Sequence, residues 1–255
     1  TCALPICERQ RFRFGKMTAV EVRSGVELPA DRTQFELHTQ DGQTLVAELA
    51  MPVSGTPVAT LICLHPLPTH GGFMDSHVMR KAANRLPYLA NVAVLRFNTR
   101  GTESPQGKST GEFTGGDLER FDVAAAVDWA VEQGLPHRWL LGWSFGTELA
   151  LKYGVDKAVE GAILMSPPLH RTSQAELERW NHVPKRLVGL IPEFDDYLVP
   201  SDAVHAFAVL RNFEQIDVAG AKHLWVGEDS VKRVLNEIVR VVAPSAYPLP
   251  GTVEL

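Results

Sequence analysis

The sequence predicts an α/β fold with a mostly parallel central sheet and helices on both faces. Short, almost wholly apolar runs recur from Ala59 onward, and such runs are typical of strands that are buried on both sides. Helical periodicity fills the segments between them, and alternating strands and helices form parallel sheets. The length of 255 residues suits one domain of this kind.

The predicted strands begin with a hairpin. Residues 33–39 and 44–51 show strand patterns and are joined by the turn Asp41-Gly42-Gln43. The apolar runs that predict the parallel strands lie at 59–65, 92–97, 139–142, 162–165, 187–191 and, more briefly, 215–218.

The predicted helices lie between these strands. The strongest pattern spans 121–131, where apolar side chains share one side and Asp128 stands opposite. The last helix, over 230–241, is expected to begin at the cap Asp229-Ser230 and to end near Pro244. Further helices are predicted at 78–86, 148–153 and 201–210.

The composition is ordinary for a soluble globular protein, with 45% hydrophobic residues and a net charge of -5. A mildly acidic chain has no electrostatic reason to bind nucleic acid or an anionic membrane. No apolar stretch reaches the ~18 residues that a membrane span requires. We therefore expect a cytoplasmic protein with a small-molecule partner, and the sequence does not specify an oligomeric state.

The three cysteines, Cys2, Cys7 and Cys63, form no disulfide framework. Cys63 lies inside an apolar run and is expected to be a small core residue. Residues 1–16 carry four basic side chains but lack the apolar stretch of a secretion signal. We expect them to be a leader without a role in the fold, followed by a single domain over 17–255.

Ser144 lies in a Gly-x-Ser-x-Gly pattern that spans Gly142 to Gly146. The pattern follows an apolar strand and precedes a helical stretch, which is the strand–turn–helix setting of an activated serine. Such a turn strains the backbone and lifts the hydroxyl above the sheet, while the glycines let neighbouring backbone pass closely. Ser144 is therefore the predicted nucleophile.

A serine hydroxyl needs a base, and the base needs an acid that orients it. Functional groups of parallel sheets gather at the carboxyl ends of the strands. Of the histidines after Ser144, His223 lies in the loop just beyond the last predicted strand and is the predicted base. The acid is expected after strand 187–191, where Asp195 and Asp196 both qualify by position, and we favour Asp195.

An acyl-transfer site also needs N–H donors that hold the oxyanion. The N–H of Phe145, directly after the serine, is one predicted donor. The second is expected in the loop after strand 59–65, where Pro66 has no N–H and Leu67 offers the first one. His65 is expected to fix this loop by hydrogen bonds.

No metal or cofactor is predicted. His65, His70 and His77 match no helical two-histidine zinc spacing. Gly71-Gly72 and Gly115-Gly116 lack the lysine signature of a phosphate loop. The expected chemistry therefore rests on side chains and backbone alone.

Further motifs follow one another along the chain. They are His65-Pro66, Gly71-Gly72-Phe73-Met74-Asp75, Arg96-Phe97-Asn98-Thr99-Arg100-Gly101, Gly142 to Gly146, Ser166-Pro167-Pro168 and Gly220-Ala221-Lys222-His223-Leu224. In this order they resemble the motifs of small bacterial α/β-hydrolases related to dienelactone hydrolases, over residues 30–243. The resemblance implies an α/β-hydrolase fold and serine hydrolase chemistry.

The chain departs from that family at several positions. Leu67-Pro68 stands where a second His-Pro step is common, Pro192 where glycine is usual, and Leu224-Trp225 where an aromatic pair is usual. The family has one aspartate where this chain has Asp195 and Asp196, so the choice between them stays open.

These features predict a serine hydrolase that cleaves small carboxylic ester or thioester substrates through an acyl-enzyme intermediate. The segment 166–186 between two predicted strands is short and leaves little room for a lid. We therefore expect an open site with Met74, Trp143, Tyr197 and Trp225 nearby.

Two alternatives use the same fold. A catalytically silent α/β-hydrolase scaffold would bind a small molecule without efficient turnover, although such proteins often lose one of the three catalytic side chains, and candidates for all three are present here. A peptidase or a cofactor-free haloperoxidase would use the same serine, histidine and aspartate.

Overall fold

The computed structural model describes residues 18–255, so the predicted leader at 1–16, with Cys2 and Cys7, lies outside the described residues. The strands in the described range are β1 (Ala19–Glu21), β2 (Asp31–His38), β3 (Thr44–Met51), β4 (Ala59–Leu64), β5 (Val92–Phe97), β6 (Glu103–Ser104), β7 (Gly107–Lys108), β8 (Arg138–Trp143), β9 (Gly161–Met165), β10 (Arg186–Phe194), β11 (Phe213–Lys222) and β12 (Thr252–Glu254). The helices in the same range are α1 (His77–Ala90), α2 (Glu119–Glu132), α3 (Phe145–Tyr153), α4 (Gln174–Glu178), α5 (Pro200–Ala206) and α6 (Glu228–Val242).

The large sheet has the strand order β11-β10-β9-β8-β4-β5-β3-β2. Strands β4, β5 and β8 to β11 run parallel, whereas β3 is antiparallel to both β2 and β5. The opening hairpin pairs Asp31 with Met51 and His38 with Thr44 around the predicted turn. The predicted mostly parallel sheet is confirmed, and the carboxyl ends of its parallel strands meet at one edge.

Helices cover both faces of the sheet, as predicted. Side chains of α1 and α6 pack into the core on one face, and those of α2 and α3 pack into the core on the other. Strand β4 supplies both cores because successive side chains alternate: Leu61 and Cys63 face the first core, and Ile62 and Leu64 face the second. Cys63 is a buried free thiol, as predicted.

The helix predicted at 201–210 is shorter than expected. It ends at Ala206, and Phe207 then stacks on Phe213 with the ring centroids 4.1 Å apart. This aromatic contact draws the chain away from the helix axis towards the core. The apolar residues that follow Phe207 therefore belong to a turn, although their pattern continues a helical period.

Helix α6 begins earlier than predicted, at Glu228, and Ser230 does not cap it. Gly227 precedes the helix with a φ of +99°, and no side chain caps the first turn. Instead, the carboxylate of Glu228 accepts hydrogen bonds from the backbone N–H of Ser24 and from the Arg85 guanidinium. Contacts with distant parts of the chain therefore fix the start of this helix.

Several short elements are not predicted by the sequence pattern. Strands β1 and β12 pair antiparallel, and β6 and β7 form a small hairpin. Helix α4 begins at a capping box in which Ser173 and Glu176 exchange hydrogen bonds. Periodicity cannot reveal such elements because they span only two to five residues.

The carboxyl edge of the sheet stays open. Between β9 and β10 the described chain forms only α4 and a 3-10 turn at Arg179–His182, which is too little structure for a lid domain. Within residues 18–255, no helix combines the length and apolar character needed to cross a membrane.

Candidate active site

Ser144 occupies the sharp turn between β8 and α3. Its φ of +51° and ψ of −117° form a strained combination for a residue other than glycine. A Cβ on Gly142 would lie 2.5 Å from the Gly146 carbonyl oxygen, and one on Gly146 would lie 1.9 Å from the Leu64 carbonyl oxygen. The two glycines thus allow α3 to start directly against β8 and β4. The predicted strained turn is confirmed.

His223 directly follows β11, which extends beyond the predicted strand 215–218. Its Nε2 lies 3.0 Å from the Ser144 Oγ, within hydrogen-bond distance. The imidazole is nearly buried, and the Tyr197 ring packs edge-on against it with the centroids 4.7 Å apart. The structure therefore brings the predicted base to the predicted nucleophile.

Asp195, and not Asp196, contacts His223. Its carboxylate oxygens lie 3.0 and 3.1 Å from the His223 Nδ1, whereas Asp196 is exposed. The backbone N–H groups of Tyr197 and Leu198 also donate to Asp195. Burial opposes ionisation, but the hydrogen bond from His223 and these two N–H groups outweigh it and hold the pKa of Asp195 below its usual range.

Leu67 and Phe145, the predicted oxyanion donors, line the same cleft as Ser144. Within the part of the chain that the structure describes, neither backbone N–H donates to another protein atom. The Leu67 loop is tightly built, because the Gly72 N–H donates to the Leu67 carbonyl at 3.0 Å and a Cβ on Gly72 would lie 2.1 Å from the Pro66 carbonyl oxygen. Both N–H groups are therefore available to a ligand, that of Leu67 in a fixed loop and that of Phe145 at the start of α3.

His65 anchors this loop, as predicted. Its Nδ1 donates to the Pro66 carbonyl at 2.7 Å, and its Nε2 accepts from the Thr99 N–H at 3.1 Å. This arrangement requires a neutral ring with its proton on Nδ1. Complete burial lowers the pKa of His65 to about 4, which keeps the ring neutral. Both ring nitrogens are engaged, so neither is free to bind a metal.

Three side-chain hydrogen bonds to backbone carbonyls hold the loop that carries His223. The Trp143 Nε1 and the Ser166 Oγ donate to the His223 carbonyl at 3.1 and 3.3 Å, and the His77 Nε2 donates to the Leu224 carbonyl at 2.7 Å. Sequence reasoning does not assign these roles. The available signal is position, because Trp143 ends β8 and Ser166 directly follows β9 beside the predicted site.

The cleft above Ser144 has a volume of about 380 Å³ and is open to solvent. Trp143 and Tyr197 line it, as predicted. Leu224, which stands where the resembled family has an aromatic residue, also lines it, and so does Arg171, which sequence reasoning does not single out as part of the site. The walls are therefore apolar apart from a few histidines, the serine and one arginine.

Met74 and Trp225 lie in the interior instead of the cleft, so the prediction of their positions is wrong. Trp225 has a φ of +52°, and its indole is buried in the core beside α6 while the preceding Leu224 faces the cleft. The Met74 N–H donates to the Asn98 Oδ1 at 2.9 Å, and the Met74 side chain is buried. These orientations depend on local backbone turns that the residue pattern does not reveal.

Sequence comparison finds similarity to a relative over less than half of the chain. No family model matches the chain. An uncharacterized protein of Rickettsia prowazekii is 33% identical over 118 residues, which cover 45% of this chain and 46% of that protein. The match therefore spans less than half the length of that relative.

Solved structures resemble the chain over most of its length. An α/β serine hydrolase without a lid from Xanthomonas campestris has a TM-score of 0.70 and 24% identity, with 86% of this chain and 98% of that chain covered. An α/β serine hydrolase homologue from Coxiella burnetii has a TM-score of 0.68 and 26% identity, with coverage of 83% and 97%. An esterase of Pyrococcus furiosus has a TM-score of 0.66 and 20% identity, with coverage of 84% and 94%.

The chain therefore has the α/β-hydrolase fold. The short connection between β9 and β10 agrees with the lid-less hydrolase of Xanthomonas campestris that the chain resembles. Within this fold, Ser144, His223 and Asp195 lie in one hydrogen-bonded line at the open edge of the sheet.

Proposed function

We propose that this protein is a serine hydrolase that cleaves carboxylic ester or thioester bonds of small substrates through an acyl-enzyme intermediate. One observation carries the proposal. The Ser144 Oγ lies 3.0 Å from the His223 Nε2, and the His223 Nδ1 lies 3.0 Å from the Asp195 carboxylate. The serine hydrolases and esterases among the similar structures support the same reaction class.

In the first step, the Ser144 oxygen attacks the substrate carbonyl carbon, and the His223 Nε2 accepts the hydroxyl proton. The proton on Nδ1 stays between His223 and Asp195. Asp195 remains ionised because its pKa lies below the usual range, so it orients the ring and stabilises the imidazolium without taking the proton.

The backbone N–H groups of Leu67 and Phe145 stabilise the negative oxygen of the tetrahedral intermediate. Both line the cleft beside Ser144, and both are fixed before the substrate arrives, so little reorganisation is needed. A donor of this kind contributes about 2.7–4 kcal/mol to stabilisation of the transition state.

The intermediate collapses when the carbon–oxygen or carbon–sulfur bond to the leaving group breaks. His223 returns its proton to the leaving alkoxide or thiolate, and the acyl group stays on Ser144. A water molecule activated by His223 then attacks the acyl-enzyme and releases the acid. An open cleft of about 380 Å³ supports small substrates in preference to large lipids.

The test is turnover combined with active-site labelling. Purified protein is expected to hydrolyse short para-nitrophenyl esters or acyl thioesters and to react with a fluorophosphonate probe, and mass spectrometry is expected to place the adduct on Ser144. A comparison of esters, thioesters and amides over a series of acyl lengths identifies the preferred bond. Absence of both turnover and labelling, or labelling at another serine, would overturn the proposal.

The alternative function, a catalytically silent scaffold that binds a small molecule, predicts a different result. In that case a small acid or ester would bind tightly, as measured by calorimetry, while its hydrolysis would be no faster than in buffer. The same purified sample distinguishes the two functions.

A further inference from the structure

We propose that the cleft selects esters or thioesters that carry an anionic group, and that Arg171 binds this group. The inference rests on the proposed hydrolase function and specifies its substrate class. The geometry points to Arg171 as a specificity residue beside the reacting centre.

Arg171 supplies the only permanently charged side chain among the described residues that line the cleft. No aspartate or glutamate of the described chain lines the same walls. The chain as a whole carries a net charge of -5. The positive charge of Arg171 in this cleft is therefore opposite in sign to the net charge of the protein. A cleft lined by one sign of charge attracts substrates of the opposite sign.

The Arg171 guanidinium forms no direct salt bridge within residues 18–255, in contrast to the buried arginines, although the Glu148 carboxylate lies close enough to interact with its charge. Arg85, Arg96 and Arg100 each pair with at least one carboxylate. Arg171 instead lies over the Phe145 ring, with its Cζ 5.6 Å from the ring centroid. This contact leaves the N–H groups of the guanidinium available to an oxyanion, which they match in a two-point geometry.

The segment that carries Arg171 is held in place. The buried Glu148 accepts a hydrogen bond from the His170 N–H at 2.9 Å, and Leu169 has a φ of +53°. A Cβ on Gly116 would lie 3.9 Å from the Arg171 Cδ, so the arginine stem packs close to this glycine. Burial raises the pKa of Glu148, and the hydrogen bond from the His170 N–H and the nearby charge of Arg171 oppose this rise.

Arg171 also lies close to the reacting atoms. The Phe145 ring beneath it belongs to the residue whose N–H is the proposed oxyanion donor. On the other side, His170 packs against Tyr197, and Tyr197 packs against His223. An anionic group joined by a short chain to the carbonyl at Ser144 therefore reaches the guanidinium.

The experiment uses pairs of substrates that differ only in charge. One arm places the charge on the acyl side and compares the para-nitrophenyl monoester of adipic acid with its terminal carboxamide. The other arm places it on the leaving group and compares meta-carboxyphenyl hexanoate with meta-carbamoylphenyl hexanoate. In each arm, kcat/KM is measured after subtraction of spontaneous hydrolysis, at low and at high salt.

We expect the wild type to favour the anion in at least one arm, and salt to reduce this preference. Arg171→Gln is expected to lower kcat/KM for the anionic ester about fivefold while the neutral ester changes less than about twofold. Arg171→Lys is expected to restore part of the preference. Arg120→Gln is the matched control, because Arg120 also lies over a phenylalanine ring, at 4.4 Å, but outside this cleft.

The outcomes separate the two proposals. Efficient hydrolysis of the neutral esters with no preference for the anions, or an equal loss for both in Arg171→Gln, overturns the role of Arg171 and leaves the hydrolase proposal intact. If none of the four esters and no acyl thioester is hydrolysed, and the fluorophosphonate probe does not label Ser144, both proposals are rejected. Loss of the preference in Arg120→Gln as well would show that the effect comes from general charge and not from Arg171.

Discussion

The indole N–H of Trp143 donates a hydrogen bond to the backbone carbonyl of His223 at 3.1 Å. Trp143 directly precedes Ser144 at the end of β8. The strand that presents the proposed nucleophile therefore also holds the loop of the proposed base. Relative movement of the two proposed catalytic side chains is restricted by one contact between the elements that carry them.

Trp143→Phe tests this contact, because phenylalanine preserves an aromatic ring but removes the N–H donor. We expect kcat/KM for a short ester to fall about fivefold to tenfold, since one hydrogen bond contributes about 1 kcal/mol, while labelling of Ser144 continues. The matched control is Trp225→Phe, because the buried Trp225 Nε1 has no hydrogen-bond partner among the described residues. Equal loss of activity in both variants would contradict the proposed role of Trp143.

Asp195 and Asp196 provide a second test, because the neighbouring carboxylates differ in their contacts. Asp195→Asn is expected to lower kcat by about 10⁴-fold through loss of the correct imidazole tautomer. Asp196→Asn is expected to change kcat less than about twofold, since Asp196 is exposed and does not contact His223. Stopped-flow measurement of both variants on one ester checks the assignment. A large loss in Asp196→Asn would show that Asp195 alone is not the acid.

The lowered pKa of the buried His65 predicts that the stability of the folded protein depends on pH. Its pKa is lowered from 6.5 to about 4 in the folded protein, so the unfolded chain binds a proton between these values and the folded chain does not. The contribution of neutral His65 is therefore complete above pH 6.5 and is lost as the pH falls towards 4. The free energy of unfolding should lose roughly 2 kcal/mol from this group between pH 7 and pH 5.

Urea unfolding at these two pH values measures the effect. His65→Gln is expected to be less stable than the wild type at pH 7 but to show a smaller decrease on acidification. His137→Gln, which changes an exposed histidine, should keep the decrease of the wild type. An unchanged decrease in His65→Gln would rule out His65 as the source.

The close packing around Gly146 predicts that one added methyl group beside the serine turn lowers the free energy of unfolding. In Gly146→Ala the new Cβ would lie 1.9 Å from the Leu64 carbonyl oxygen, so the backbone must move. We expect the free energy of unfolding to fall by about 3 kcal/mol and the fluorophosphonate labelling to slow. Gly25→Ala meets no atom within 4 Å and should change stability by less than about 0.5 kcal/mol. Equal stability of the two variants would contradict the close approach of α3 to β4.

Much of the architecture could be predicted because its signals are local. Strands β4 and β5 are buried on both faces, so their sequences are continuous apolar runs with clear ends. The position of Ser144 follows from the same pattern, since it stands directly after the buried strand β8, whereas His223 stands directly after the edge strand β11, which has a shorter apolar run. Rules that apply to strand ends were therefore enough to find these two candidate residues.

The remaining details depend on contacts between distant residues. The choice of Asp195 over Asp196 depends on where β10 ends, because a shift by one residue reverses the direction of the side chain. The position of Trp225 depends on a left-handed backbone turn. Arg171 lines the cleft with its stem close to Gly116, and the N–H of the preceding His170 donates to Glu148, so the segment is positioned by residues that are far away in sequence. No pattern of neighbouring residues predicts these features.

The most direct test of the account is the rate of ester hydrolysis by Ser144→Ala at a matched concentration of folded protein, with the fold checked by circular dichroism and thermal melting. We predict that kcat falls by at least about 10⁴-fold and that fluorophosphonate labelling is lost, while the melting temperature stays close to that of the wild type. Hydrolysis at the wild-type rate by a folded Ser144→Ala protein would contradict the proposal that Ser144 is the nucleophile.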